Sequence, residues 1–400
     1  MKPLKIYMCL FYENEKSIWD SHLTQTLCKM GHEVFVTRKV GLQKSWYFFN
    51  RKFWGPRQKE RITENILKDV KERHREKGID LFFCYLFPFQ FTPRLFRELV
   101  SLSIPSVYFF CDNFAYKEVA KKYAPYVTLN WVPEKNAVQQ FERSGSKFLY
   151  LPMAANPDIN YPVAVEETVD VSFLGTKTPY RRHLLGQVLQ SGLNFRVYGG
   201  GWCPNQKDFH PPKEDIQDSP AYPKPRFMER VASYMRFKKS ALLRFMRYGL
   251  VPKLRCKWYA RLGEEYETTL QTVANRRYLS HSEANEVYSF SSVSIGINDQ
   301  FNPLLKDRFV FYTKLRDFEA TIAGACHLTQ ATPEGPELFV DGREVMTYST
   351  VEELIDKAKF LLKNEPFRKK LRVAARKRAL AEHTWQHRFQ RVFSELGLRR

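Results

Sequence analysis

Two charged side chains that open a predicted helix have the types and spacing to hold a ribose. Arg316 and Glu319 lie in the segment 316–325, where a glycine closes an amphipathic turn before a short apolar run. A carboxylate in the first turn of such a helix lies at the carboxyl edge of a parallel sheet, where open α/β folds bind ligands. It can accept hydrogen bonds from both ribose hydroxyls. The alternative is that Glu319 only complements the helix dipole.

A second segment combines a glycine turn with arginines and a helix start. Gly175 and Thr176 follow a predicted strand, and Arg181 and Arg182 fall in the first turn of the next helix. Backbone N–H groups at a helix N-terminus bind phosphate, and arginine adds bidentate contacts. The spacing differs from that of the Gly-x4-Gly-Lys-Ser/Thr phosphate loop. The alternative is an ordinary turn with solvated arginines.

A glycine run ends another predicted strand. Tyr198 is followed by Gly199, Gly200 and Gly201 before Trp202. Glycines let a ligand approach the backbone closely, although a flexible turn would show the same residues. The run and the turn at Gly175 follow neighbouring predicted strands, which favours a shared ligand.

The order of strands and helices along the sequence predicts an α/β protein with two doubly wound halves, which would position these residues. Apolar runs at 4–11, 33–37, 81–85, 106–110 and 127–130 alternate with helical patterns, which indicates a parallel sheet. After a proline-containing linker near 151–157, further strands are predicted at 169–174, 195–198, 293–298 and 325–329. Between about 203 and 277 the pattern is interrupted, which predicts an insertion in the second half.

Length and composition agree with two domains and exclude some classes of protein. The chain has 400 residues, and single cores usually stop growing near 250–300 residues. It lacks an apolar run of about 18 residues and a signal-peptide pattern, so we expect no membrane-spanning helix. The seven cysteines are scattered and form no Cys-x-x-Cys pair, as expected of reduced thiols in a cytoplasmic protein.

The net charge of +21 is concentrated in two segments. Residues 224–262 carry twelve Lys/Arg against one acid, and residues 368–400 carry eleven against two. Within the first segment apolar residues recur at helical spacing between the basic ones, as at Met228, Val231 and Met235. Such a helix suits an anionic membrane surface, the phosphates of a nucleic acid, or a packed hairpin with a solvated basic face.

Several short motifs of the second half, in their order along the chain, resemble those of the CgeB-like (spore maturation protein-like) glycosyltransferases, a branch of the two-domain GT-B superfamily. The resemblance covers about 125–202 and 278–392. It is carried by the segments 150–157, 170–175, 197–202, 294–298, 316–319, 339–344 and 383–388.

The resemblance implies a GT-B fold of two Rossmann-like domains. The N-terminal domain, 1–155, would face the acceptor, and 156–382 would hold a nucleotide-sugar donor and carry the basic insertion. Residues 383–400 would form a return helix. The donor would be a UDP-, GDP- or dTDP-sugar, with no permanently bound cofactor.

The same resemblance assigns roles to the residues of the second half. Glu319 would bind the donor ribose. Arg316 and Arg181 would neutralise the diphosphate, and Arg316 would so act in catalysis. The remaining donor contacts would come from Gly175, Thr176, Tyr198 and Gly199.

One residue departs from the pattern of many retaining GT-B enzymes. They carry a second glutamate eight residues before the ribose one, where this chain has Phe311. That places a retaining mechanism in doubt. An inverting enzyme needs a general base, for which Asp112, His22 and Asp20 are candidates.

We expect catalysis without a bound metal. The second half contains no Asp-x-Asp pair, and GT-B enzymes generally rely on arginine, lysine and helix dipoles. His383 and His387 are spaced to share a helix face, but with no third ligand evident they are interpreted as packing residues.

The prediction is thus a cytoplasmic glycosyltransferase, peripheral at the inner membrane face, with a glycan, lipid-linked or protein acceptor. The alternatives are a sugar-nucleotide epimerase on the same fold and a non-enzymatic basic module that binds membrane or nucleic acid. DNA glycosylation would combine transfer with nucleic-acid binding.

Overall fold

The structure is a computed structural model that describes residues 2–11, 18–37, 40, 55–111, 121–203, 250–275, 279–303 and 309–398. The described residues form two compact units. The first runs to Pro152 and resumes at Trp385, and the second lies between Met153 and Thr384.

The first unit is built on a six-stranded sheet in the order β2-β1-β3-β4-β5-β6, with every neighbouring pair parallel. The middle strands are buried on both faces, as expected of a parallel sheet covered by helices. The strands are β1 Lys5–Leu10, β2 Glu33–Val36, β3 Leu81–Tyr85, β4 Ser106–Phe109, β5 Leu129–Val132 and β6 Phe148–Tyr150.

Helices connect these strands, as a parallel sheet requires. The first connection begins with a π-helical turn, Asp20–Thr24, that continues into α1, Gln25–Lys29. The longest of the described helices, Pro56–Lys77, begins after the N-cap Gly55 with a proline in its first turn. It ends at Gly78, which has a positive φ. The helices after α1 are α2 Pro56–Lys77, α3 Arg94–Ser101 and α4 Val138–Ser144.

The second unit has its own six-stranded sheet, in the order β14-β13-β10-β7-β8-β9, again parallel throughout. A separate antiparallel pair, β11 with β12, follows β10. The strands are β7 Val169–Leu174, β8 Phe195–Tyr198, β9 Ala274–Asn275, β10 Ser291–Gly296, β11 Asp299–Phe301, β12 Phe309–Phe311, β13 His327–Gln330 and β14 Met346–Tyr348.

The helices of the second unit pack around this sheet, and the core is formed by strand residues such as Phe173 and Ile295. The helices are α5 Pro179–Gln190, α6 Val251–Arg261, α7 Glu267–Val273, α8 His281–Phe290, α9 Leu315–Ile322, α10 Gly335–Leu338, α11 Val351–Lys363 and α12 Glu365–Glu382. Of the predicted insertion, α6 and α7 fall in the described residues, whereas the segment 204–249 lies outside them.

The last helix, α13 at Trp385–Glu395, belongs to the first unit. Trp385 is fully buried there, with its ring centroid 5.9 Å from that of Trp131. Arg388 Nε donates to the carbonyl of Pro152 at 2.9 Å. Two parallel-sheet α/β units joined in this way confirm the predicted fold class.

Candidate functional site

The two predicted glycine turns of the second unit lie side by side and are hydrogen-bonded to each other. β7 and β8 are parallel neighbours, so the turns that follow them meet at the carboxyl edge of the sheet. The amide of Gly175 donates to the carbonyl of Tyr198 at 2.8 Å, and the amide of Lys177 donates to that of Gly200 at 2.9 Å. The amide of Gly175 is therefore already used inside the protein.

This crossing requires glycine at position 199. Gly199 has a φ of +127°, and a Cβ there would lie 2.4 Å from the carbonyl oxygen of Gly175. The indole of Trp202 donates to the same carbonyl at 2.6 Å. The sequence predicts that these glycines let a ligand approach the backbone, whereas the close approach at Gly199 in this structure is to the backbone of Gly175.

Helix α5 begins directly behind the first turn. Thr178 is the N-cap, and its hydroxyl accepts a hydrogen bond from the amide of Arg181 at 3.2 Å. The exposed amide of Thr176 donates to no atom of the described residues. Thr176 therefore contributes an available backbone donor to this turn.

Arg181 is already paired. Its Nε donates to Asp299 Oδ1 at 3.1 Å, and its Nη1 donates to the carbonyl of Thr176 at 3.0 Å. Burial lowers the pKa of Arg181, the Asp299 carboxylate opposes that shift, and the neighbouring Arg316 cation adds to it. Burial also raises the pKa of Asp299, although the Arg181 and Lys314 cations act against the shift. Sequence reasoning missed Asp299, which lies on a strand that the apolar pattern does not reveal.

Arg316 has no such partner. It is the second residue of α9 and is half-buried, and within the described residues its guanidinium makes no hydrogen bond or ion pair. A Cβ on Gly175 would lie 3.0 Å from Arg316 Nη1, so the cation lies directly over the first turn. The structure brings together Gly175, Arg181 and Arg316, and among the described residues it leaves the charge of Arg316 unpaired.

The start of α9 is held by a buried carboxylate. Asp317 accepts a hydrogen bond from the amide of Lys314 at 2.8 Å, which caps the helix. Its Oδ1 accepts from Thr329 Oγ1 at 2.6 Å and lies 2.8 Å from His327 Nε2. Burial raises the pKa of Asp317, but these hydrogen bonds and the His327 charge outweigh it, so the net shift is downward. Asp317 therefore positions Arg316 by fixing the first turn of the helix.

Glu319 lies one turn further along α9 and is 8% exposed. Burial raises the pKa of Tyr288 above its ordinary value, and the Glu319 charge adds to that shift while Arg316 opposes it. Tyr288 belongs to an apolar cluster with Tyr198 and Ala320, so Tyr198 lies beside the helix that carries Glu319. Glu319 and Arg316 therefore both lie near Tyr288, which packs in the same apolar cluster as Tyr198.

The predicted general bases belong to the first unit. His22 is fully buried in the π-helical turn, with its ring centroid 6.0 Å from that of Trp385. Asp20 opens the same turn. Asp112 lies outside the described residues. π-Helical turns are rare and frequently occur at functional sites, which makes this one a notable place for His22.

The remaining sequence interpretations concern packing and metal binding. His383 is buried against Phe318 and Phe339, and its Nε2 lies 2.8 Å from the carbonyl of Leu338. Phe311 packs in β12 against Phe309 and Tyr180. Among the described residues there is no cluster of three His, Cys, Asp or Glu side chains suited to a metal ion.

Comparison with known proteins places this geometry in a class. Residues 236–394 match the model of a glycosyl transferase-like family, about two-fifths of the chain. No curated protein matches the chain.

Solved structures match over nearly the whole length. Sucrose-phosphate synthase from Thermosynechococcus elongatus has a TM-score of 0.58 at 12% identity, covering 99% of this chain and 100% of that one. HepE from Anabaena, in complex with UDP and glucose, has a TM-score of 0.56 at 11% identity, covering 98% and 99%. A glycosyltransferase from Rickettsia africae has a TM-score of 0.56 at 10% identity, with full coverage of both chains.

The chain therefore has the GT-B fold of these structures, with two Rossmann-like α/β units. Combined with the family match over residues 236–394, this fold makes the chain a glycosyltransferase.

Proposed function

We propose that the chain moves a sugar from a nucleotide-sugar donor to a glycan, lipid-linked or protein acceptor. The observation that carries the proposal is the Arg316 cation, which has no partner in the described part of the chain and lies over the turn at Gly175, one helical turn before Glu319. An unpaired, half-buried arginine at the carboxyl edge of a parallel sheet suits a diphosphate, which it can bind in bidentate fashion.

Each part of a nucleotide-sugar then has a matching group. Arg316 and the free amide of Thr176 would hold the diphosphate, and Glu319 would accept the ribose hydroxyls. Tyr198 and Gly199 would border the base. Arg181 contributes positive potential beside the phosphates while it stays paired with Asp299. The amide of Gly175 is engaged with Tyr198, so this glycine would serve by leaving room for the ring of Phe173 and the guanidinium of Arg316, which a Cβ would meet.

The leaving group of the reaction is a nucleoside diphosphate, whose negative charge grows as the glycosidic bond breaks. A preorganised cation at that position stabilises the transition state more than the ground state. Arg316 is suited to this role, and transfer would then proceed without a bound metal. Inversion would need a base on the acceptor side, for which we propose His22 or Asp112.

The partners beyond the donor are proposed from charge and pattern. The basic segments 224–262 and 368–400 favour an anionic membrane surface over nucleic acid, and we propose a cytoplasmic protein peripheral to such a surface. Within the described residues, the helices are all too short or too polar to cross a bilayer. The ordered motifs named above support placement in the CgeB-like branch.

Turnover of a donor panel tests this function. UDP-, GDP- and dTDP-sugars are incubated with the protein, and released nucleoside diphosphate and altered sugars are measured. We expect release from at least one donor, and a loss of about a hundredfold in rate for Arg316→Ala, as for removal of one transition-state donor.

The matched control is Arg343→Ala. Arg343 is an exposed arginine of the same unit. It lies just before β14, at the amino ends of the parallel strands, whereas the proposed site lies at their carboxyl ends. Its rate should equal that of the wild-type protein. Failure to release a nucleoside diphosphate from any donor would contradict the proposal. Epimerised donor without release would favour the epimerase instead.

A further inference from the structure

Helix α6 has an unusual surface for a helix of an enzyme. None of its residues is buried, and three apolar side chains on it are largely exposed: Val251 at 50%, Leu254 at 60% and Trp258 at 40%. These positions follow the spacing i, i+3 and i+7, so they form one stripe. A stripe of this kind on an isolated surface helix favours an apolar partner.

The same helix is strongly basic. It contains four Lys/Arg residues and no acid, and Lys253, Lys257 and Arg261 are exposed. At 100° per residue these three lie beside Leu254 and away from Tyr259, which faces inward. Apolar side chains flanked by cations match the depth profile of an anionic bilayer, with its apolar interior beneath a negative surface.

The inner side of α6 is fastened to the first turn of α5. Arg182 donates to the carbonyl of Leu262 from Nε at 3.1 Å, and from Nη2 to the carbonyls of Leu262 at 2.9 Å and Ala260 at 3.0 Å. These are carbonyls at the C-terminal end of α6, which lack partners within the helix. Arg182 is the neighbour of Arg181, so the end of α6 is attached to the segment that carries the proposed donor residues.

Two further contacts make this attachment stiff. The ring of Tyr259 stacks on that of Phe301 with centroids 3.9 Å apart and planes 2° apart, and Phe301 lies on the same strand as Asp299. A Cβ on Gly263 would lie 2.4 Å from the backbone nitrogen of His183, so the backbone after α6 is pressed against α5. A shift of α6 would therefore move the turn that precedes Arg181.

We propose that α6 docks on an anionic membrane surface and that docking tightens donor binding through Arg182 and the Tyr259–Phe301 stack. The second half of this statement rests on the proposed donor site. Docking holds α6 in one position, and the contacts with α5 transmit that restraint to Thr176 and Arg181. Coupling is reciprocal, so donor binding would also strengthen membrane docking.

Docking is tested by co-sedimentation with vesicles of phosphatidylcholine and phosphatidylglycerol, against vesicles of phosphatidylcholine alone. The wild-type protein should bind only the anionic vesicles. The affinity of Leu254→Glu for these vesicles should be at least about fivefold lower, because the variant places a carboxylate against the negative surface. The matched control is Val100→Glu, at a residue 62% exposed on α3, which makes the same charge change elsewhere.

Equal binding by the Leu254→Glu and Val100→Glu variants would overturn the docking face. Oligonucleotides provide a second arm at the same salt concentration. If DNA or RNA binds in a manner that depends on Leu254 while anionic vesicles do not bind, the partner is a nucleic acid and the proposal is wrong.

Coupling is tested by titrating UDP, GDP and dTDP with and without anionic vesicles. The affinity of the wild-type protein for the nucleotide that binds should rise about fivefold with vesicles, at the low end of usual allosteric couplings. Arg182→Gln and Tyr259→Leu should still sediment with vesicles but lose this rise.

The outcomes separate the two claims. If vesicles leave the affinity of the wild-type protein for the nucleotide unchanged, the coupling is overturned while the proposed function stands. If none of the three nucleotides binds under either condition, the donor site and the coupling both fail, and the sedimentation result alone decides the docking face.

Discussion

Two arginines at one sheet edge differ in whether their charge is already satisfied, and this difference separates their roles. Arg181 forms an ion pair with Asp299 at 3.1 Å, whereas Arg316 makes no ion pair among the described residues. A paired arginine shapes the site and its potential, while an unpaired one retains its capacity to bind an anion. The sequence predicts both as diphosphate ligands, and the structure favours Arg316 for direct contact.

The Asp317 carboxylate gives the second unit a defined dependence on acid. Its folded-state pKa lies below the ordinary value of 3.8, so its contribution to stability is complete above that value. The contribution is lost as the pH falls through the folded-state pKa. We therefore expect the free energy of unfolding to decrease more steeply in acid for the wild-type protein than for Asp317→Asn.

Urea unfolding at a series of pH values from neutral to about pH 3 measures this dependence. Asp356→Asn, at an exposed carboxylate on α11, is the control and should follow the wild-type curve. An Asp317→Asn variant with the same acid dependence as wild type would show that the carboxylate is not the source.

At the scale of elements, the site is made where two βα turns cross. The turn after β7 and the turn after β8 share the hydrogen bonds of Gly175 and Lys177, and glycine at 199 allows them to approach. The crossing fixes the position of Thr176 before α5 begins. The geometry of the proposed donor site thus depends on backbone packing as much as on its charged side chains.

Gly199→Ala should disrupt this crossing. The added Cβ would meet the Gly175 carbonyl and the φ of +127° disfavours alanine, so we expect a loss of about 3 kcal/mol in unfolding free energy. Gly192→Ala is the matched control, because Gly192 has a φ of +80° but no atom within 4 Å of an added Cβ. It should lose only about 1 kcal/mol.

Comparing urea midpoints of the two variants decides between sterics and backbone conformation. If the two losses were equal, the crowding at Gly175 would contribute nothing measurable.

The sequence predicts the central strands of both sheets, because parallel strands buried on both faces appear as continuous apolar runs. It does not predict the short edge strands β6, β9 and β14, which have only two or three residues each. It also predicts the turn at Gly175 and the helix that carries Arg316 and Glu319. It does not predict Asp299, since β11 is a three-residue strand in an antiparallel pair that has no such run. The pairing of Asp317 with His327 and Thr329 is likewise invisible, because it depends on which loop ends meet in space.

At the scale of the whole molecule, the chain completes its first unit only with its last helix. In the described residues it leaves that unit at Pro152, forms the second, and returns at Trp385. The solved structures with this fold are only 10–12% identical, so what is shared is the pattern of strands and helices rather than individual side chains. The site residues of this chain must therefore be tested in this chain.

Trp385→Ala tests how strongly the return helix is bound. Trp385 is fully buried, and its ring lies near those of Trp131 and Phe109, so the substitution should cost about 3–5 kcal/mol. Phe360→Ala, at a ring 45% exposed on α11, should cost less than about 1.5 kcal/mol. Equal losses in urea unfolding of the two variants would show that the last helix adds little to the first unit.

The most direct test of the donor site is whether Glu319 recognises a ribose. Calorimetric titration compares the nucleoside diphosphate that binds most tightly with its 2′-deoxy form, in the wild-type protein and in Glu319→Ala. The wild type should prefer the ribose form about tenfold, as expected for one hydrogen bond to a charged group. Glu319→Ala should bind more weakly and lose that preference while it unfolds as the wild type does. A variant that keeps both affinity and preference would contradict the assignment of the donor site.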